Sequence, residues 1–314
     1  MRLSRLKDKL QKTYTPRQKT LVSACALLRY YILLSTTTAG SGHPSSCLSS
    51  VELVATLFFG GFFRHDIDNP AYANNDRLIF SKGHAAPLLY SLWAVAGVLS
   101  EKKLKTLRVF GSELEGHPTR NFVYTDAATG SLGQGLSIGV GRALAGKLDK
   151  LDYTTYVLLG DSELAEGSNW EAAQIASYYK LDNLVAIVDA NRLGQRGETM
   201  TGTHADIILA QFLAFGWQGE IIDGHTTDQI QLAYGRALKS ATPYVIVART
   251  IKGKGVSIME DKDGWHSKVL TKKQYEKALG DLGPLKKKLK VELTKTTKKK
   301  AAPMVTRRGR EKLE

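Results

Sequence analysis

Apolar positions along this chain fall into short unbroken runs, separated by longer stretches with mixed polarity. TTYVLLG (154–160), NLVAIVDA (183–190), GEIIDG (219–224) and YVIVART (244–250) are rich in β-branched residues. DRLIFS (76–81) is a fifth, shorter run. Gly, Asp, Asn, Ser or Pro punctuates an end of each, so each reads as a strand. Their apolar character is continuous rather than alternating, which predicts strands covered on both faces. Between them lie helical patterns. These are residues 16–34, with a wide apolar face; LSSVELVATLFFGGFF (48–63), with Ser49 or Ser50 as a cap ahead of Glu52; and GHAAPLLYSLWAVAG (83–97). SNWEAAQIASYYK (168–180), a helix around Asp228 to Leu238, and LTKKQYEKALGDLG (270–283), stopped by Gly283 and Pro284, complete the series. TTTAGSGHPSS (36–46) reads as a small-residue loop, and GSLGQGLSIGVGRALAG (130–146) as a glycine-rich turn opening a helix. Strands alternating with helices predict an α/β fold, a parallel sheet flanked by helices on both faces.

The stretch from Gly160 to Asn191 carries the chemistry. Asp161 follows one buried strand, Asn191 follows the next, and a helix lies between. A thirteen-residue helix rises roughly 20 Å, and a six-residue strand covers roughly the same distance. The chain therefore returns to the edge it left. Neighbouring strands lie about 4.8 Å apart, so both side chains reach the carboxyl rim of the sheet, where ligands of open α/β sheets bind. One carboxylate, one amide oxygen and a nearby backbone carbonyl form a hard donor set, suited to Mg2+ or Ca2+ and not to zinc. Such a cation is short of negative charge and completes its shell with phosphate oxygens and water. A helix N-terminus and the glycine-rich backbone from Gly130 to Gly135 would offer N–H groups to the same phosphates. Taken singly, Asp161 also reads as a helix cap and Asn191 as a turn residue.

Composition narrows the picture only slightly. At 314 residues, 43% apolar and 24% charged, the chain is an ordinary globular one. Cys25 and Cys47 form no metal-binding pattern, which places the chain in a reducing, cytoplasmic setting. The apolar run LVSACALLRYYILL (21–34) is interrupted by Arg29 and too short to span a bilayer. Residues 1–15 form a basic segment, with Leu3, Leu6 and Leu10 at near-helical spacing. The net charge of +14 is uneven: residues 286–314 hold twelve Lys or Arg against three acids, a net +9, leaving +5 for the rest. Residues 284–314 therefore read as a solvated, disordered basic tail. It contains no aromatic residue, so stacking on nucleic-acid bases is not indicated.

Six ordered motifs within residues 16–283 resemble the thiamine diphosphate-binding half of the transketolase family. They are GSGHPSS (40–46), NNDRLIFSKGHAAPLLYSL (74–92), EGHP (115–118), TGSLGQGLSIGVGRALA (129–145), AFGWQGEIIDGH (214–225) and ARTIKGKGVSIMEDKDGWH (248–266). The stretch beginning GDSELAEG and continuing through YKLDNLVAIVDANRLGQ resembles the family's G-D-G…N motif.

The resemblance implies the family's cofactor-binding fold, thiamine diphosphate with Mg2+ (Ca2+ or Mn2+ able to substitute), and specific roles. Asp161, Asn191 and the carbonyl of Leu193 would ligate the metal. Gly130, Ser131, Leu132, Gly160 and Ser162 would line the diphosphate, and His84 would also touch the cofactor. His43, His84, His117 and His266 would line a sugar channel, and imidazole titrates near the pH at which sugar hydroxyls exchange protons. Glu166 matches a position near a dimer interface that links paired sites, with Glu171 a weaker candidate. His65, His204 and His225 carry no such role, and His225 reads as a turn residue. Three positions depart from the family pattern: Ser162 stands where Gly is usual, Ser131 where Pro is, and Ser267 where Gly often is.

The family's second half, with its pyrimidine-binding and C-terminal domains, would begin near LGPLKKKLK. The resemblance thus implies an α2β2 assembly that acts on sugar phosphates. This chain would be its N-terminal subunit, and the C-terminal subunit would be separately encoded. Two alternatives stay open. One is a different thiamine diphosphate enzyme, of specialised ketol transfer or of deoxyxylulose-phosphate-synthase type. The other is a catalytically orphaned binding module.

Overall fold

The computed structural model describes residues 16–287, 289, 291 and 293–295. The five apolar runs form one sheet: β1 (Arg77–Phe80), β2 (Thr155–Gly160), β3 (Leu184–Ala190), β4 (Gln218–Asp223) and β5 (Tyr244–Arg249). Its order is β1-β2-β3-β5-β4, and every neighbouring pair is parallel. In chain order the helices are α1 (Pro16–Ala39), α2 (Pro44–Leu48), α3 (Val51–Phe59), α4 (Ala86–Val95) and α5 (Glu101–Leu104). They continue with α6 (Gln134–Leu148), α7 (Gly167–Tyr178), α8 (Ala205–Ala214), α9 (Thr227–Ala237) and α10 (Lys272–Asp281).

Alternate strand residues feed two cores, as a pleated strand requires. Tyr156, Leu158, Val185 and Ile187 pack with α1, α3, α4 and α9. Val157, Leu159, Ala186 and Val188 pack with α6, α7 and α8 on the opposite face. Both faces of the central strands are covered, which is why β2 and β3 carry unbroken apolar runs over Tyr156–Leu159 and Leu184–Val188. The chain has the α/β architecture, a parallel sheet flanked by helices on both faces, that the strand and helix pattern led us to expect.

Three local readings need correction. The first concerns α1, which runs to Ala39 and absorbs the Thr run assigned to a loop. Thr36 Oγ1 donates back to the carbonyl of Ile32 at 2.7 Å, a bond that Thr can make inside a helix. The segment Gln18–Ala39 is therefore long and apolar enough to cross a membrane by length and composition, but most of it is buried in the first core. The second concerns Ser50. It occupies the N-cap of α3 without a side-chain cap bond, because its hydroxyl donates to Asp189 Oδ2 at 2.7 Å.

The third concerns the basic tail. Its first part lies against the body: Leu285, Leu289 and Val291 pack on the first core, and Leu293 is buried. His65 N–H donates to the carbonyl of Thr294 at 3.0 Å. Spaced apolar side chains among the lysines give this stretch a face to bury, which net charge alone does not reveal. The basic segment 1–15 and residues 296–314 lie outside the described residues.

Three helices were not anticipated, α2, α5 and α8. At the other end of the chain, α10 carries a full capping box between Thr271 and Gln274, and Gly283 takes a positive φ of 66° just beyond it.

Candidate functional site

The carboxyl ends of β1, β2, β3 and β5 converge on one cleft of about 220 Å³. β2 and β3 pair directly, with Gly160 opposite Asp189, so Asp161 and Asn191 emerge side by side. Both are buried, at 6% and 5% exposure, and both line the cleft. Asp161 accepts the N–H of Ser162 at 2.8 Å and that of Arg192 at 2.6 Å. Asn191 Oδ1 accepts the N–H of Leu193 at 3.2 Å, and its Nδ2 donates to Asp189 at 3.3 Å. Asp161 is thus a cap as well as a cleft residue. A carboxylate has about four acceptor positions, so two remain for a ligand.

Among the described residues, no cluster of three His, Cys, Asp or Glu side chains could hold a metal ion. The set is instead one carboxylate, one amide oxygen and the carbonyl of Leu193, which now accepts the ammonium of Lys252 at 2.6 Å. That donor set fits a hard cation that arrives with phosphate oxygens of its own.

Burial, followed by the charge of Asp189, raises the Asp161 carboxyl to about 6. Two lysines counter the acids. Lys82, 1% exposed, donates to Asp189 and to the carbonyl of Ser46 at 2.9 Å. Lys252, 2% exposed, also bonds the carbonyl of Gly194 at 2.9 Å and lies 3.0 Å from His266 Nδ1. Burial, then the charge of Lys82, brings the Lys252 ammonium down to about 8. Asp189 is fully buried and accepts from Lys82, Ser49, Ser50 and Thr250.

The four channel histidines come together. His43 lies 5.2 Å from His84, 6.4 Å from His117 and 5.2 Å from His266 between ring centroids, and His84 lies 5.1 Å from His266. Burial, then the neighbouring cationic and imidazole groups, lowers His43 to about 4 and His266 to about 3. His84 and His117 are lowered for the same leading reason. All four rings are neutral near pH 7, so each has one donor and one acceptor nitrogen. His43 Nδ1 is buried without a hydrogen-bond partner, a polar atom turned toward nothing the protein supplies.

Other expected residues divide. Gly130, Leu132, Gly160 and Ser162 line the cleft, while Ser131 is exposed and does not. Ser162 fits beside Gly194, where an added Cβ would lie 3.2 Å from its Oγ. Glu166 and Glu171 are exposed and outside the cleft. His65 packs among Phe63, Trp93 and Tyr124. His204 is exposed beside α8.

Sequence reasoning missed Lys82, Lys252, Asp189 and Glu163. Glu163 is buried and accepts the N–H groups of Gly133 at 2.9 Å and Gly160 at 3.0 Å, together with the hydroxyl of Ser81. It ties the glycine turn to the end of β2. Gly133 itself sits at φ 88°, and a Cβ there would lie 2.5 Å from the Cβ of Glu166. A usable signal existed: each missed residue lies at or within a few positions of the carboxyl end of a strand, where an apolar run gives way to charge.

Comparison with known proteins settles the family. The family description "Transketolase, thiamine diphosphate binding domain" matches residues 19–310. The chain belongs to the transketolase family. It is 48% identical over 256 residues to the transketolase of Pongo abelii, covering 81% of this chain and 41% of that protein. It is 40% identical over 256 residues to one subunit of the apulose-4-phosphate transketolase of Phocaeicola vulgatus, covering 81% of this chain and 90% of that protein. Among solved structures, the transketolase of Campylobacter jejuni superposes with a TM-score of 0.80 at 32% identity, over 88% of this chain and 44% of that one. The chain thus spans about two fifths of the length of the full transketolases it matches.

Proposed function

We propose that this chain is the N-terminal subunit of a split transketolase. It would hold Mg2+ and the diphosphate of thiamine diphosphate while a two-carbon ketol unit passes from a ketose phosphate to an aldose phosphate. The observation that carries this reading is one cleft in which the Asp161–Asn191 rim and the four clustered histidines meet. Asp161, Asn191 and the Leu193 carbonyl would hold the cation, with Lys82 and Lys252 supplying positive charge around the phosphates. Gly130, Leu132 and Gly160 would line the diphosphate. When bound, thiamine diphosphate supplies the carbanion that this chemistry needs. The neutral histidines would donate to and accept from sugar hydroxyls, holding or moving a proton at a ring nitrogen. Glu166 and Glu171, exposed here, would face a second copy and link its site to this one.

The match to nearly the full length of a protein named as one subunit of its enzyme supports a separately encoded partner. That partner would carry the pyrimidine-binding and C-terminal domains, in an α2β2 assembly in the cytoplasm. A second reading keeps the cofactor and changes the sugar. It is favoured by the same relative, whose name specifies apulose 4-phosphate.

The test is co-expression with the partner subunit, followed by ketol-transfer assays over a panel of ketose and aldose phosphates. Transfer should require both subunits. Ketol transfer by this chain alone would overturn partner dependence, and the preferred donor separates the two readings.

A further inference from the structure

One strand end in the cleft is held from outside it. The segment leaving β5 carries Lys252 into the cleft, where its ammonium reaches the carbonyls of Leu193 and Gly194. A partly buried polar chain lies on the other side of that segment. His225 Nε2 accepts the N–H of Ile251 at 2.8 Å. The ring proton must then sit on Nδ1, which donates to Glu52 Oε2 at 3.0 Å. Glu52 Oε1 pairs with Arg29 Nη2 at 2.7 Å, and Arg29 Nε donates to the carbonyl of Lys254 at 2.9 Å. The backbone is therefore gripped on both sides of Lys252, at the Ile251 N–H and at the Lys254 carbonyl. Gly255, at φ 85°, lets the turn close onto Arg29, because a Cβ there would lie 2.7 Å from Arg29 Nε. Arg29, Glu52 and His225 face a separate cavity of about 370 Å³ and do not line the cleft.

A lysine is a compact charge on a flexible four-carbon stem, so its ammonium is placed only as well as its backbone is fixed. Groups that orient a binding residue from behind tune it without touching the ligand. We infer that His225, backed by Glu52 and Arg29, is a positioning residue that sets Lys252 against the diphosphate. This rests on the reading of the cleft as a diphosphate site. It gives a role to the one turn histidine that the motif pattern left without any.

The experiment uses the full chain with His225→Phe, which fills the space without an acceptor, and His225→Gln, whose amide offers one acceptor and one donor. Two quantities are read: hydrogen exchange at the Ile251 and Lys252 amides, and calorimetric affinity for inorganic pyrophosphate with Mg2+. In His225→Phe, exchange at these two amides should accelerate about tenfold or more while the β5 interior stays protected, and the dissociation constant should rise about tenfold. His225→Gln should restore both to within about threefold of wild type. If wild type binds pyrophosphate and His225→Phe binds it equally well, the inference is overturned. It is also overturned if the Gln variant fails to recover. If wild type binds none, the diphosphate reading fails, and the exchange data alone decide the positioning role. Exchange that rises uniformly across β5, or at neither amide, sinks it. Should His225→Phe not fold, Glu52→Leu, which removes the ring's orienting partner, is read by the same two measurements with the same expectations.

Discussion

The backbone N–H of Arg192 donates to Oδ2 of Asp161 at 2.6 Å, so the loop that follows β3 is tied to the residue just past β2. Thirty-one positions separate the two in sequence. This single bond expresses what the strand–helix–strand unit does: it returns the chain to the rim it left and sets two oxygen donors on the same cleft.

Asp161 supplies the only carboxylate of the proposed cation set. Asp161→Ala should lower Mg2+-dependent thiamine diphosphate affinity on the order of 100-fold or more, since losing groups behind a ligand already costs 10–100-fold. Asp161→Asn keeps an oxygen that can accept the Arg192 N–H and removes the charge. It should retain the fold and still lose most of the affinity. Isothermal calorimetry checks both, and unchanged affinity in both variants would remove Asp161 from the site.

Proton and cation compete for the same oxygens. Burial and Asp189 raise the Asp161 carboxyl from 3.8 to about 6. Between those values the folded chain holds a proton that the unfolded chain has lost, so ionising Asp161 costs stability as pH rises through this window. A bound cation removes that cost. Mg2+ affinity should therefore be flat above about pH 6 and fall about tenfold per unit below it. Titration calorimetry at a series of pH values reads this directly, and a flat profile down to pH 4 contradicts it.

Asp189 and Lys82 form a buried pair beneath the cleft, and breaking one side leaves an uncompensated charge. Asp189→Asn should cost about 3–5 kcal/mol in urea unfolding. Desolvation opposes the ionised form of Asp189, but Lys82 and the hydroxyl donors outweigh it and hold the carboxyl down to about 2. A carboxyl lowered in the folded state contributes stability that is present above its unfolded value and lost as pH falls through its folded one. The pair's contribution should therefore disappear between about pH 4 and 2. Acid unfolding of the wild type should show this step, and the Asn variant should lack it.

Much of this was readable in advance, and the exceptions share a cause. The five strands announced themselves because both faces of the sheet are covered, leaving runs such as YVLL and LVAIV with no polar positions. Asp161 and Asn191 were legible because one local unit joins them. Lys82 and Asp189 lie 107 positions apart, and Lys252 and Leu193 lie 59 apart. No local pattern relates such residues, because the sheet order that brings β1 and β5 beside β2 and β3 is a tertiary fact. Ser50 misled for the same reason: its hydroxyl satisfies a distant buried acid rather than its own helix. The helices α2 and α5 span only five and four residues, and α8 opens at His204 with no side-chain cap to announce it, so all three were passed over.

The glycine turn offers a test of packing without any change of charge. Gly135 lies in the first turn of α6, and a Cβ there would meet Ser81 at 2.4 Å from its Cβ and 2.6 Å from its Cα. The Cα is backbone and the Cβ is fixed to it, just past the end of β1, so no side-chain rotation relieves the contact and the backbone itself must move. Ser81 also donates to Glu163, which holds Gly133 and Gly160. Displacing α6 from β1 therefore loosens the glycine turn and the end of β2 that are proposed to line the diphosphate. Gly135→Ala should cost about 1–3 kcal/mol in unfolding free energy, as overpacking of a tight contact does, although Ala is otherwise the better helix former. Pyrophosphate affinity should fall along with stability. Gly141→Ala, in the same helix with nothing within 4 Å of the added Cβ, is the matched control. It should gain about 0.4–1 kcal/mol and bind as wild type does. Equal stabilities for the two variants would show that α6 and β1 are not in the close contact described.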